Sequence, residues 1–125
     1  MKNILIIEND GDSLALLKEI LEEKGYNALG ASHIDNGLAV LRQGIAIDLI
    51  LVSTIIENAE TYDHIKIAIN DKLSASIPTI ALTSSQETNE GVRAMEEGCV
   101  AYIARPIEEA ELLKIVKSVL GKRGK

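Results

Sequence analysis

The sequence has no tryptophan or phenylalanine, and its only aromatic residues are Tyr26, Tyr62 and Tyr102. Platforms for stacking nucleic-acid bases are therefore missing, and the core has to be aliphatic. Cysteine is nearly absent. Cys99 stands alone, which excludes an intrachain disulfide, and a small thiol ahead of VAYIA reads as a packing residue. Basic residues are in the minority, 13 Lys and Arg against 19 Asp and Glu, for a net charge of −6. Their one cluster is the terminal KRGK, too little to track a phosphate backbone, so no nucleic-acid partner is expected. No apolar run approaches the roughly eighteen residues of a membrane span, and MKNILIIEND is too poor in apolar residues for a signal-peptide core. A soluble, cytoplasmic protein without a membrane partner is the expectation. Repeats, low-complexity tracts and Pro/Gly/Ser-rich linkers are also missing, so the 125 residues read as one domain over 1–121 with a short basic tail at 122–125.

What is present is an alternation. ILII at 4–7, AIDLILV at 46–52, TIAL at 79–82 and VAYIA at 100–104 are short, nearly continuous apolar runs, the pattern of strands covered by helices on both faces. YNALGA at 26–31 is less apolar and carries a glycine, as an edge strand does. Between the runs lie helical patterns. DSLALLKEILEEKG opens with Asp12 or Ser13 as a cap, repeats Leu14, Leu17 and Leu21 on one face, and stops at Gly25. IEEAELLKIVKSVLG places Glu108, Glu109 and Glu111 early and Lys114 and Lys117 late, matching the helix dipole. Its stripe Leu112, Leu113, Val116 and Leu120 faces the sheet, and Gly121 ends it. Shorter helices are expected near 35–43, 58–72 and 86–97. Five strands alternating with five helices predict a doubly wound α/β sandwich with an all-parallel sheet.

In such a sheet the functional crevice lies beyond the carboxyl ends of the strands, where strand order reverses. The residues there are Glu8, Asn9 and Asp10 after the first strand, Ser53 after the third, Thr83 and Ser84 after the fourth, and Arg105-Pro106 after the fifth. At these positions the sequence resembles the receiver domain of two-component response regulators, the chemotaxis-type flavodoxin-like module, along essentially the whole chain. Receivers read as a first strand ending in an acidic pair, a third ending in the phosphoacceptor aspartate, a fourth ending in Thr or Ser, and a fifth ending in Lys-Pro. The resemblance implies a (βα)5 flavodoxin-like fold with strand order 2-1-3-4-5. It also makes Tyr102, three residues before Arg105, the switch aromatic and Thr83 its partner.

The departures from the pattern carry the functional reading. A receiver accepts a phosphoryl group from a histidine kinase on an aspartate, with a divalent metal offsetting the charge that accumulates. Ser53 removes that nucleophile. Asn9 removes one ligand charge, leaving Glu8, with Asp10 able to point elsewhere, so Mg²⁺ binding is expected to be weak or absent and no cofactor is assigned. Arg105 replaces the family's lysine with a flat fork suited to a carboxylate, and a bridge from Arg105 to Glu8 across the pocket is predicted. After Ser53, IIENAETYD lacks the Pro and Gly of the family's Met-Pro-x-Met-Asp-Gly type loop, which predicts a third helix that begins early or a mobile loop.

Other chemistry finds less support. A hydrolase Ser53 needs a base and an oxyanion hole, yet no G-x-S-x-G elbow surrounds it and His33 and His64 lie outside the strand ends. Ser53 as a target of another kinase type, and Ser53 as a residue filling the vacated space, remain as alternatives. His33 and His64 lack Cys or His partners at metal spacing and read as surface residues, so no metal site is assigned. Gly11 alone after the first strand is no dinucleotide loop. For Thr83 and Tyr102, a working switch and ordinary packing both stand. The expected function is a degenerate receiver: a phosphorylation-independent protein-interaction module, not an enzyme, whose partner is a histidine kinase or another signalling protein. The docking face implied by the resemblance includes Arg93, Tyr102 and Glu108. The alternative is a competent phosphorelay receiver using a displaced acid such as Asp48 or Glu57. No DNA-binding or enzymatic extension is seen, so output is expected to pass through another chain.

Overall fold

A computed structural model describes residues 1–123. The five apolar runs form β1 (Asn3–Ile7), β2 (Asn27–Ala31), β3 (Leu49–Ser53), β6 (Thr79–Thr83) and β7 (Ala101–Ala104); two further strands, β4 (Ile55–Ile56) and β5 (Ala59–Glu60), lie between β3 and β6. The helices are α1 (Gly11–Glu23), α2 (Ile34–Arg42), α3 (Asp63–Asn70), α4 (Glu90–Glu97) and α5 (Glu109–Arg123). The main sheet is parallel with order β2-β1-β3-β6-β7, the expected (βα)5 layout.

The strand alternation sorts the core into two layers. Ile4 and Ile6 of β1 join Leu49, Leu51, Ile80, Leu82 and Ile103 against Leu17 and Leu21 of α1 and Leu112, Val116 and Leu120 of α5. Leu5 and Ile7 face the other way, with Ile50, Val52 and Ala81, against Ile34 and Leu38 of α2, Ile65 and Ala68 of α3, and Ala94 of α4. Cys99 is buried in this second layer, where desolvation pushes its thiol up to about 12, as a packing residue requires. Among the described residues no helix is long and apolar enough to cross a membrane.

Several boundaries differ from the sequence expectation, each for a local reason. The cap of α1 is Asp10, whose side chain accepts the Asp12 N–H, and neither Asp12 nor Ser13 serves. The third strand starts at Leu49, because Asp48 is occupied at the foot of the sheet, its carboxylate accepting the Asn3 N–H at 2.8 Å. Gly121 does not end α5, which continues to Arg123: no left-handed turn forms there, so the helix runs through the glycine. Lys122 and Arg123 thus belong to the helix rather than to a tail, and residues 124–125 lie outside the described part.

The largest difference follows Ser53. The segment is neither an early helix nor an open loop but a two-stranded antiparallel hairpin, with Ile55 opposite Glu60 and Ile56 opposite Ala59. Its turn residues Glu57 and Asn58 have φ of 55° and 65°, the left-handed pair that a type I′ hairpin turn demands. The third helix accordingly starts only at Asp63. The fourth also starts late, at Glu90 rather than near 86.

Candidate functional site

The crevice forms at the carboxyl ends of β1, β3, β6 and β7 and has a volume of about 430 Å³, lined by Glu8, Asn9, Asp10, Ser53, Ile55, Asn58, Ser84 and Arg105. Parallel pairing brings these ends together, since Ile7 lies beside Val52, Ser53 beside Leu82 and Thr83 beside Ala104. Of the strand-end residues singled out in the sequence, Glu8, Asn9, Asp10, Ser53, Ser84 and Arg105 line this crevice, whereas Thr83 and Pro106 do not.

Glu8 is held by its backbone, whose N–H donates to the Ala31 carbonyl at 2.9 Å, so its side chain turns into the crevice only 4% exposed. Arg105 reaches it from the far side. Its own N–H donates to the Thr83 carbonyl, while Nη2 donates to Glu8 Oε1 at 2.5 Å and Nη1 to Ser13 Oγ at 3.0 Å. The bridge expected from the Lys-to-Arg departure is present, and Ser13, read as a helix cap, is instead the second anchor of the fork. The other Glu8 oxygen accepts the Asp10 N–H at 3.2 Å.

The remaining groups are likewise engaged. Asn9 Oδ1 accepts the Glu57 N–H at 3.1 Å. Ser53, 1% exposed, donates its hydroxyl to the Ile55 carbonyl at 2.9 Å and accepts the Ile55 N–H at 3.1 Å. Thr83 is buried, its hydroxyl 3.5 Å from the Ser85 carbonyl. Tyr102 points outward at 45% exposure, with its ring against Gly91 of α4. Neither displaced acid faces the crevice: Asp48 is at the opposite end of the sheet, and Glu57 turns to His33 Nε2 at 2.6 Å. Among the described residues, no group of three or more His, Cys, Asp and Glu gathers as ion ligands.

Sequence reasoning missed two features. Glu90, in a charged stretch with the look of a solvated face, is 2% exposed and accepts hydrogen bonds from the Ser84 backbone and from the hydroxyls of Thr54 and Ser84. Burial works against its charged form, but the Ser84 and Thr54 bonds outweigh it and hold the carboxyl below the ordinary value. The histidines are not plain surface residues either. His64 Nδ1 accepts the Ile34 N–H at 3.0 Å, capping α2 from α3, and the His33 ring lies 5.6 Å away. Arg93, placed on the docking face, stacks over Tyr62 at 4.2 Å and approaches Glu60 at 3.6 Å, so it leans toward the hairpin. Glu108 is exposed just before α5.

A doubly wound parallel sheet with its polar groups gathered at this crevice defines a flavodoxin-like fold. The chain belongs to the response regulator receiver domain family, which it matches over residues 4–117. It is 26% identical over 120 residues to the protein PilH of Pseudomonas aeruginosa, covering 96% of this chain and 98% of PilH. It is 28% identical to the transcriptional regulatory protein CpxR of Escherichia coli, covering 96% of this chain but 50% of CpxR, so it spans about half of that relative. Among solved structures, a CheY-like receiver domain protein of Methanospirillum hungatei superposes with a TM-score of 0.84 at 27% identity, covering 99% of this chain and 97% of the other. The receiver domain of a histidine kinase from Syntrophus aciditrophicus gives 0.83 at 26% identity, covering 98% and 92%.

Proposed function

We propose that this receiver is a phosphorylation-independent module that signals by binding another protein, with a histidine kinase or another signalling protein as partner and no nucleic acid. The observation that carries this reading is Ser53. A phosphohistidine transfers its phosphoryl group to a receiver's carboxylate, and an alcohol at that place, with both of its hydrogen bonds committed to Ile55, supplies neither the charge nor a free nucleophile.

The donor set supports the same conclusion for the metal. Mg²⁺ wants hard oxygens in near-octahedral array. Here the Glu8 oxygens are taken by Arg105 and the Asp10 N–H, the Asn9 oxygen by Glu57, and Asp10 Oδ1 by the first turn of α1. These residues do not fit the ion. The Arg105–Glu8 bridge occupies the space instead, and it supports a reading in which one conformation is held without phosphate. The net charge of −6 disfavours nucleic acid as the partner.

The experiment is incubation with acetyl phosphate and Mg²⁺ followed by intact-mass measurement. No change in mass is expected. A gain of one phosphoryl group that hydroxylamine removes identifies an acyl phosphate and overturns the proposal.

A further inference from the structure

We propose that the Ile55–Glu60 hairpin is a clasp that fixes one wall of the crevice, and that Ser53, Asn9 and His33 are its fasteners. The inference goes beyond the phosphorylation reading, because it assigns a present task to the residues standing where transfer chemistry would require carboxylates.

The hairpin is under local strain. Glu57 and Asn58 both occupy left-handed backbone, which an L residue other than glycine enters at a cost. A two-stranded hairpin this short does not hold itself. Three side chains from outside its turn compensate. Ser53 ties Ile55 by both its N–H and its carbonyl, Asn9 accepts the Glu57 N–H, and His33 Nε2 meets the Glu57 carboxylate. The base is closed by the Thr61 N–H donating to the Thr54 carbonyl at 2.7 Å. Ile55 and Asn58 consequently form one wall of the crevice that Arg105 also lines.

The identities at positions 9 and 53 fit this task. An amide at 9 accepts the Glu57 N–H without adding negative charge beside Glu8 and Glu57, whereas an aspartate would add it. A hydroxyl at 53 both donates and accepts, as the paired bonds to Ile55 require, while an ionised carboxylate only accepts. The two departures from the receiver pattern are thus one device.

Amide hydrogen exchange followed by NMR on the full chain tests it, read at Thr61, which touches neither Asn9 nor His33. The variants are Asn9→Ala, His33→Ala and Asn58→Gly. Asn9→Ala and His33→Ala are each expected to speed Thr61 exchange about fivefold, the effect of one lost hydrogen bond, with β1 and β3 amides unchanged. Asn58→Gly, which relieves the turn, is expected to slow it. Unchanged Thr61 exchange in both alanine variants overturns the clasp, and so does acceleration spread equally over β1 and β3.

Discussion

The Arg105 guanidinium joins the end of β7 to the end of β1 by a 2.5 Å contact with Glu8, a carboxylate 4% exposed against the arginine's 27%. Burial makes the carboxylate dependent on its partner. Arg105→Met leaves that charge without compensation, and because the guanidinium is partly solvated the expected loss is about 2 kcal/mol, below the range for fully buried pairs. Glu8→Gln in the Arg105→Met background should recover most of it, since the uncompensated charge is then gone. Arg105→Lys should fall between, because one ammonium replaces a fork that spans Glu8 and Ser13. Urea titration of the four proteins checks the order, and a double variant no more stable than Arg105→Met contradicts it.

Glu90 binds the ends of β3 and β6 to the start of α4 through Thr54 and Ser84. Glu90→Ala removes the acceptor of the Ser84 N–H and hydroxyl and leaves the Thr54 hydroxyl only the Leu82 carbonyl, for an expected loss of about 2 kcal/mol at neutral pH. Its carboxyl is held below the ordinary value, so its stabilisation is full above the unfolded value and is lost as pH falls through the lower folded one. Glu90→Gln should therefore be less stable than the parent at pH 7 and lose less on acidification. Thermal unfolding at a series of acid pH values measures this, and parallel curves for the two proteins exclude it.

Much of this fold was legible because the five apolar runs, the helical stripes and the strand-end residues obey separate rules that agree. The Arg105–Glu8 bridge was legible too, since a planar fork facing a lone carboxylate has few alternatives. The hairpin was not. Its sequence signal is normally Asn-Gly or Asp-Gly, and Glu57-Asn58 carries no glycine, while two of the side chains that hold the turn, Asn9 and His33, are distant in sequence. Glu90 was hidden for a related reason: a glutamate among polar residues looks solvated until the partners that bury it, 36 and 6 residues away, are known. The α1 cap was misplaced by two or three residues because Asp10, Asp12 and Ser13 are all capable caps, and Arg105 claims the serine.

Gly91 on α4 lies directly under the Tyr102 ring. A methyl group there would come within 2.6 Å of Tyr102 Cδ2 and Cζ, closer than packed atoms tolerate. Gly91→Ala should therefore displace the ring, which is half-exposed, while alanine's helix propensity returns up to about 1 kcal/mol. The expected result is stability within about 1 kcal/mol of the parent together with a large change in the Tyr102 ring resonances. If the ring is displaced without altering Thr83 resonances, the two residues are not coupled as a switch.

His64 reports on the pH response of the α2–α3 contact. Its Nδ1 must be unprotonated to accept the Ile34 N–H, and burial, followed by the nearby His33, lowers its pKa; Asp63, Asp35 and Glu57 oppose the shift without cancelling it. A histidine with a lowered folded value binds its proton more readily when unfolded. Stability is then full above the unfolded value, about 6.5, and declines as pH drops from there toward the folded value. His64→Asn keeps an acceptor near the Nδ1 position but does not titrate, so its stability should be flatter between about pH 7.5 and 5.5. Chemical denaturation across this range decides the point, and an equal slope in the parent and His64→Asn would show that the proton is taken up elsewhere.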